Sequence, residues 1–226
     1  MTLPKKNRPP KKVFIVDDHP MMREGLAQWI GQDPGLEVCG QAGDASEALE
    51  KIALLKPDLV LTDITLPGKS GLELIKDIQT RHPGARVLVL SMHDEALYVE
   101  RVLRAGGRGY IMKEEGGKKI AQAIRQVLDG QIYVSEKMSA KILEIFSGHG
   151  ADAAASPVEK LTDREFEVFQ LMGQGLESKP MAEKLRLSPR TIEVHRAHIK
   201  AKLNLNSMAE LIGYAVRWVE SQNTGV

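Results

Sequence analysis

The chain predicts an α/β domain built on a doubly wound five-stranded parallel sheet, followed by a small all-α domain of four helices. From Lys12 to Asp129, short apolar runs alternate five times with longer segments of helical spacing. The apolar runs are nearly continuous, as in strands covered on both faces. Beyond Pro157 the strand-like runs stop and only helical periodicity remains. At 226 residues the chain is long for one compact domain and comfortable for two, each burying its own core.

The first strand reads VFIV and stops at Asp17 and Asp18; Met22, Leu26, Trp29 and Ile30 then recur at helix spacing. The second runs from Leu36 to Cys39. Asp44 with Glu47 three residues on forms a capping-box pattern before the helix of Ala48, Leu49, Ile52 and Leu55. The third strand begins LVLT, stops at Asp63, and is closed by a Pro-Gly turn ahead of Leu72, Leu74, Ile75 and Ile78. VLVL stops at Ser91 before a helix from Ala96 to Leu103. GYIM stops at Lys113 before one from Ile120 to Leu128, which Gly130 ends.

Doubly wound sheets bind ligands beyond the carboxyl ends of their strands, and in the five-stranded form that crevice lies between the first and third strands. Those strands carry Asp17, Asp18 and Asp63. Three carboxylates in a half-buried crevice repel one another at a cost of several kcal/mol unless a cation joins them. The set predicts a hard divalent ion, and Mg²⁺ suits it because it accepts a few oxygens and keeps waters that a phosphoryl oxygen can displace. The alternative is three surface caps that never meet.

The formal net charge is +1, so any nucleic-acid patch must be local. The lone cysteine, Cys39, excludes an internal disulfide framework and reads as a buried structural thiol in a reducing compartment. No zinc spacing occurs. Residues 1–11 read as a disordered basic tail, and the four-residue apolar run behind them is too short for a signal peptide or membrane span, which predicts a cytoplasmic protein without membrane attachment. The domain assigned to 12–130 is followed by a linker over 131–156. That linker begins IYVS, contains a helix with Met138, Ile142, Leu143 and Ile145, and ends in GHGADAAASP, where His149 is a solvated residue.

The second domain, 157–226, opens with a capping box of Thr162 and Glu165, stapled by Leu161 and Phe166, on a helix that runs to Met172 and ends at Gly173 and Gly175. A short helix follows from about Lys179 to Leu187. Ser188 and Pro189 then cap one running to Leu203, and Ser207 with Glu210 caps a fourth. Two short helices joined by a tight turn, the second strongly capped and basic, are the helix-turn-helix layout.

Lys179, Lys184, Arg186, Arg190, Arg196, Lys200 and Lys202 outweigh Glu183 and Glu193 to give a local charge of +5, a phosphate-seeking surface. On a helical wheel, Ile192, His195, Ile199 and Leu203 face inward, which makes His195 a core histidine. Arg190, Val194, Ala197 and Ala201 face outward with Glu193 and His198 beside them, and Thr191 lies in the same first turns. Val194 could touch a thymine methyl and Glu193 could accept from cytosine. Arg196 reads equally as an ion-pair residue or a phosphate contact, while Lys200 and Lys202 reach phosphates from the flanks. The last helix is apolar around much of its circumference, so one stripe closes the core while Leu211, Ile212, Ala215 and Val219 are expected to serve self-association on adjacent half-sites.

VFIVDDHPMMREGL, TDITLPGKSGLEL, LSMHDE and AGGRGYIMK resemble the receiver domain of two-component response regulators. LTDREFEVFQLMGQGLESKPMAEKLRLSPRTIEVHRAHIKAKLNLNS resembles the LuxR-type helix-turn-helix. Together they are similar to the NarL/FixJ class over almost everything from Lys12 to Val219. The resemblance implies that Asp63 is the phosphoacceptor for a sensor histidine kinase, that Asp17, Asp18, Asp63 and the Thr65 backbone carbonyl bind Mg²⁺, and that Lys113 pairs with the phosphoryl group. It implies Ser91 as the switch hydroxyl and Tyr110 as the ring that turns inward after it. It also implies double-stranded DNA as a partner, with Glu193, Val194 and Ala197 facing the groove, and phosphorylation that promotes a homodimer, releases the DNA-binding domain, or both. Pro180 falls early in the first helix of the motif, where many relatives carry an acidic or polar residue, and Glu193 and Ala197 stand where some members carry lysine. Two other readings compete. An aspartyl phosphatase would want a second aspartate at position 65, where this chain has Thr65; a phosphate-independent interaction module would not need Ser91 and Lys113 beside the acids.

Overall fold

A computed structural model describes residues 9–140 and 157–223. The chain divides into two compact units, Met1–Ser139 and Ala140–Val226.

The first unit carries β1 (Lys11–Val16), α1 (Pro20–Gly31), β2 (Leu36–Ala42), α2 (Ala45–Leu55), β3 (Leu59–Thr62), α3 (Gly71–Arg81), β4 (Arg86–Ser91), α4 (Glu95–Arg104), β5 (Tyr110–Met112) and α5 (Gly116–Leu128). All neighbouring strands are parallel, in the order β2-β1-β3-β4-β5. Successive side chains leave opposite faces of a strand. Val13, Ile15, Leu59, Leu61, Leu88 and Leu90 therefore pack under α1 and α5 against Leu26, Ile30, Ile120, Ile124 and Val127. Phe14, Val60, Val87 and Val89 are equally buried on the other side, where α2, α3 and α4 lie side by side. Order reverses at β1, so the switch point opens between β1 and β3.

Local chemistry sets the helix ends. Pro20 starts α1, Asp94 Oδ1 accepts from Ala96 N on α4, and Ser70 with Glu73 forms a complete capping box on α3. On α2, Asp44 accepts from Ser46 N and Glu47 N, but the Glu47 carboxylate takes the N–H of Gly43 instead of completing the box. Asp33 Oδ2 holds Arg125 Nε at 2.6 Å and ties the α1–β2 turn to α5.

Several expectations change. Lys11 belongs to β1 rather than a tail, and its ammonium lies 2.6 Å from Asp58 Oδ1. Trp29 is 40% exposed, on the outer side of the α1 stripe. Cys39 is half-buried because β2 is an edge strand. The opening of the expected linker is instead part of this unit: Tyr133 bridges to Gly109 beside β5, and Met138 is buried. A helix begins at residues 136–140; Ile142, Leu143, Ile145, His149 and the small polar stretch lie outside the described residues.

The second unit carries α6 (Asp163–Gly173), α7 (Ser178–Leu185), α8 (Pro189–Lys202) and α9 (Met208–Asn223). Thr162 and Glu165 form the capping box on α6, and Leu161 and Phe166 are buried as a staple requires. Gly173 does not end α6 by conformation. It lets α9 approach, since a Cβ there would stand 2.5 Å from the Ala215 carbonyl oxygen; the turn itself falls at Gly175, φ +81°. α7 closes at Leu185, two residues earlier than expected, with Arg186 left-handed at φ 50°. Ser188 Oγ caps α8 by accepting from Thr191 N. Ser207 Oγ accepts from Glu210 N, whose carboxylate reaches Asn206 N, again one residue before the cap.

The expectation for α9 is half corrected. Leu211 and Ala215 are fully buried in their own unit, because α9 needs them to pack on α6, and Val219 is half-buried. Trp218 meets the rings of Phe166 and Phe169, each at 5.6 Å. Of the four residues expected to serve self-association, Ile212 alone is exposed, at 39%.

Candidate functional site

Parallel pairing of Val16 with Thr62 puts the next residues, Asp17 and Asp63, side by side at the switch point, with Asp63 N donating to Val16 O at 2.9 Å. Both carboxylates are buried, at 1% and 6% exposure. Lys113 follows β5 and sends its ammonium between them, 2.6 Å from Asp17 Oδ2 and 2.6 Å from Asp63 Oδ2. The remaining oxygens meet backbone: Ile64 N donates to Asp63 Oδ1 at 2.6 Å and His19 N to Asp17 Oδ1 at 2.8 Å. Burial pushes the Asp63 carboxyl above its ordinary value, with Lys113 opposing. Burial alone would push Lys113 down, yet Asp63 and Asp17 hold its ammonium above the usual lysine value.

Asp18 is less buried, and its Oδ1 lies 2.7 Å from His19 Nδ1. Ligand atoms of Asp17, Asp18 and His19 fall within 4.8 Å of one another. His19 is a neighbour that apolar spacing does not single out. Thr65 stands two residues past Asp63, and its side chain meets His93, Oγ1 to Nε2 at 2.8 Å. Asp17 and Asp63 share one ammonium and Asp18 lies beside Asp17, so the donor set is oxygen-rich and one-sidedly negative. Such a set fits a hard divalent cation.

Ser91 ends β4 fully buried, and its Oγ accepts from His93 N at 3.3 Å. The Tyr110 ring is turned inward at 1% exposure, its hydroxyl donating to His93 O at 2.6 Å. Burial pushes that phenol far above its ordinary value, with a Ser91 hydrogen bond opposing. His93 also lies against the Tyr98 ring, centroids 5.0 Å apart. Sequence reading missed His93; a lone histidine after a strand end carries no spacing signal. Gly71 is a second omission. It donates to Ile64 O at 2.6 Å, and any Cβ there would overlap the Asp63 carbonyl oxygen, so only glycine lets α3 start this close to the acid.

In the helical unit, Ile192 and Ile199 of α8 are fully buried. Lys179, Arg190, Glu193, Val194, Ala197 and His198 are exposed, while Thr191 and Lys200 are half-buried. His195 is half-buried rather than a core residue. Arg196 resolves towards the ion pair: its side chain is 14% exposed, with Nη1 3.0 Å from Glu193 Oε1 and 2.6 Å from Ser178 Oγ. Lys202 turns back to α6, its Nζ 2.6 Å from Glu165 Oε2, and His198 Nδ1 lies 3.9 Å from the other oxygen. The wheel places both on the right flank of α8 but cannot show an acid on another helix.

Comparison with known proteins agrees with both halves. Residues 13–125 match the family described as "Response regulator receiver domain", and residues 159–215 match "Bacterial regulatory proteins, luxR family". The chain is 35% identical over 210 residues to the oxygen regulatory protein NreC of Staphylococcus carnosus, covering 91% of this chain and 97% of that protein. It is 37% identical to NreC of Staphylococcus aureus over the same shares. A LuxR-family two-component response regulator from Aurantimonas has a similar structure, with TM-score 0.57 and 33% identity over 61% of this chain and 99% of the other. RcsB of Salmonella enterica serovar Typhimurium, solved on promoter rprA with the phosphomimetic BeF3−, shares the fold at TM-score 0.60 and 24% identity, over 92% of this chain and 98% of that one.

Proposed function

Because the chain belongs to the two-component response regulators of the NarL/FixJ class, transcriptional regulators that join a receiver to a LuxR-type DNA-binding domain, we propose that Asp63 accepts a phosphoryl group from a sensor histidine kinase and that its charge controls binding to DNA. The shared ammonium carries this reading. A buried lysine held by two carboxylates is poised to follow negative charge from the acids to an incoming phosphoryl oxygen.

The Asp63 carboxylate attacks phosphorus, the P–N bond of the phosphohistidine breaks, and the bonding pair leaves with the imidazole, which takes up a proton. An acyl phosphate remains on Asp63. Lys113 offsets the charge on the phosphoryl oxygens. Asp17, Asp18, Asp63 and the Thr65 carbonyl would hold Mg²⁺, which supplies charge neutralisation at those oxygens when bound. The product adds roughly two negative charges to the crevice. Ser91 Oγ would donate to them, and Tyr110, its ring already inward, would move with the loop that Ser91 draws in. A ligand shifts a two-state equilibrium only by its differential interaction; a swing from 1:99 to 99:1 needs about 10⁴-fold.

The DNA surface comprises Lys179, Arg190, Thr191, Glu193, Val194, Ala197, His198 and Lys200, with Lys202 available once released from Glu165. Two copies on adjacent half-sites would multiply affinity, and Ile212 is the exposed apolar residue of α9 that such a pair can cover. Among the described residues no helix is long and apolar enough to cross a membrane. An aspartyl phosphatase is disfavoured because Thr65, not an acid, follows Asp63 by two and its hydroxyl is engaged by His93.

Asp63→Asn tests the assignment. Incubation with acetyl phosphate and Mg²⁺ should add one phosphoryl mass to the wild type and none to the variant; retained label on the variant would remove Asp63 from this role.

A further inference from the structure

Glu193 is an acid on the α8 face assigned above to the groove, where phosphates repel negative charge. One of its oxygens is fastened from two sides. Oε1 accepts from Ser178 Oγ at 2.5 Å and from Arg196 Nη1 at 3.0 Å, and Arg196 Nη1 also donates to Ser178 Oγ at 2.6 Å. The three groups close a triangle between the first residue of α7 and the second and third turns of α8. Arg196 is 14% exposed while Glu193 is 53% exposed. The carboxylate is therefore split into a clamped oxygen and an open one, Oε2, which has no partner among the described residues.

We propose that Ser178 and Arg196 are positioning residues that set Glu193 to read an exocyclic amine in the major groove, that of cytosine. The inference rests on the DNA-binding reading above. A carboxylate accepts only, so it pairs with the cytosine N4 amine and rejects guanine O6 and thymine O4, which are acceptors themselves. Adenine also offers an amine, but its N7 acceptor lies beside it and repels the open oxygen. Fixing Oε1 removes side-chain freedom that base contact would otherwise have to freeze. The guanidinium offsets the carboxylate charge against the flanking phosphates, so the acid is retained without a general loss of affinity. Val194, 47% exposed on the neighbouring position, adds an apolar contact next to that base.

The test is selection of bound sites from random DNA by the full chain treated with acetyl phosphate, followed by affinities at several salt concentrations and a melting curve for each variant. Wild type should prefer cytosine at one position by about tenfold. Glu193→Gln should move that position towards adenine, since an amide pairs with N6 and N7 together. Ser178→Ala should flatten the preference there with the salt slope and melting temperature unchanged, and Ser178→Thr, which keeps the hydroxyl, should restore it. An identical selected site for wild type and Glu193→Gln would overturn the inference while leaving DNA binding standing. So would a Ser178→Ala loss spread evenly over all sequences. Failure of the wild type to select any sequence would remove the DNA-binding reading and this inference with it.

Discussion

Glu165 offers the sharpest test of how the helical unit is held together. Its carboxylate does two separable things: Oε2 accepts from Thr162 N at 2.8 Å in the capping box and from Lys202 Nζ at 2.6 Å at the far end of α8. Glu165→Gln keeps an acceptor for Thr162 but deletes the charge facing Lys202. A hydrogen bond between charged groups contributes about 1.5–3 kcal/mol. The Glu165 side chain is 4% exposed but that of Lys202 is 36% exposed, so the released ammonium finds water and the cost falls at the lower end, about 1.5 kcal/mol. In a unit of this size that lowers the melting temperature by about 6–12 °C. Burial opposes ionisation of Glu165, yet Lys202 and Thr162 hold its carboxyl below the ordinary value. A depressed folded-state pKa gives stability that is present above the unfolded pKa, about 4.3, and is lost as pH falls through the folded one. Wild type and Glu165→Gln should thus differ most at neutral pH and converge in acid. Trp218 fluorescence in a Trp29→Phe background follows this unit alone. Equal penalties at pH 7.5 and in strong acid, or no penalty, would refute the reasoning.

Other outcomes follow from single contacts. Lys113→Met leaves two buried carboxylates without their ammonium and should cost about 3–5 kcal/mol in EDTA, less with millimolar Mg²⁺, by urea unfolding; equal losses in both buffers would show that Lys113 only packs. Gly173→Ala drives a methyl into the Ala215 carbonyl and should destabilise the helical unit by about 1–3 kcal/mol, and an unchanged melt would mean α6 and α9 are less tightly apposed. Gly71→Ala displaces the start of α3 from Asp63 and should slow acetyl-phosphate labelling with the strands still folded by circular dichroism; an unaltered rate would separate that helix from the acceptor.

Much of this was legible in the residues because it depends on chain-local rules. Strand ends were visible as apolar runs halted by polar groups, and parallel register then brings Asp17 next to Asp63 without further information. What escaped depends on neighbours distant in sequence. Spacing gave Glu47 and Glu210 their caps but not which N–H each carboxylate would reach, since that turns on which donor the preceding loop leaves open. A helical wheel placed Arg196 and Lys202 correctly around α8 and was blind to Ser178 and Glu165 across from them. Leu211 and Ala215 looked spare on a helix apolar all round, until packing against α6 consumed them. Tyr133 read as linker because a single residue bridging to a sheet edge carries no periodicity.

His93 is fastened at several points: Thr65 at the end of its ring, Tyr98 on its face, Ser91 through its amide and Tyr110 through its carbonyl. Loops that follow β3 and β4 are thereby riveted into a single crosspiece over the acid. Whatever displaces one of them hauls the other along, so the outer surface around α4 and the approach to Asp63 have one hinge between them, not two.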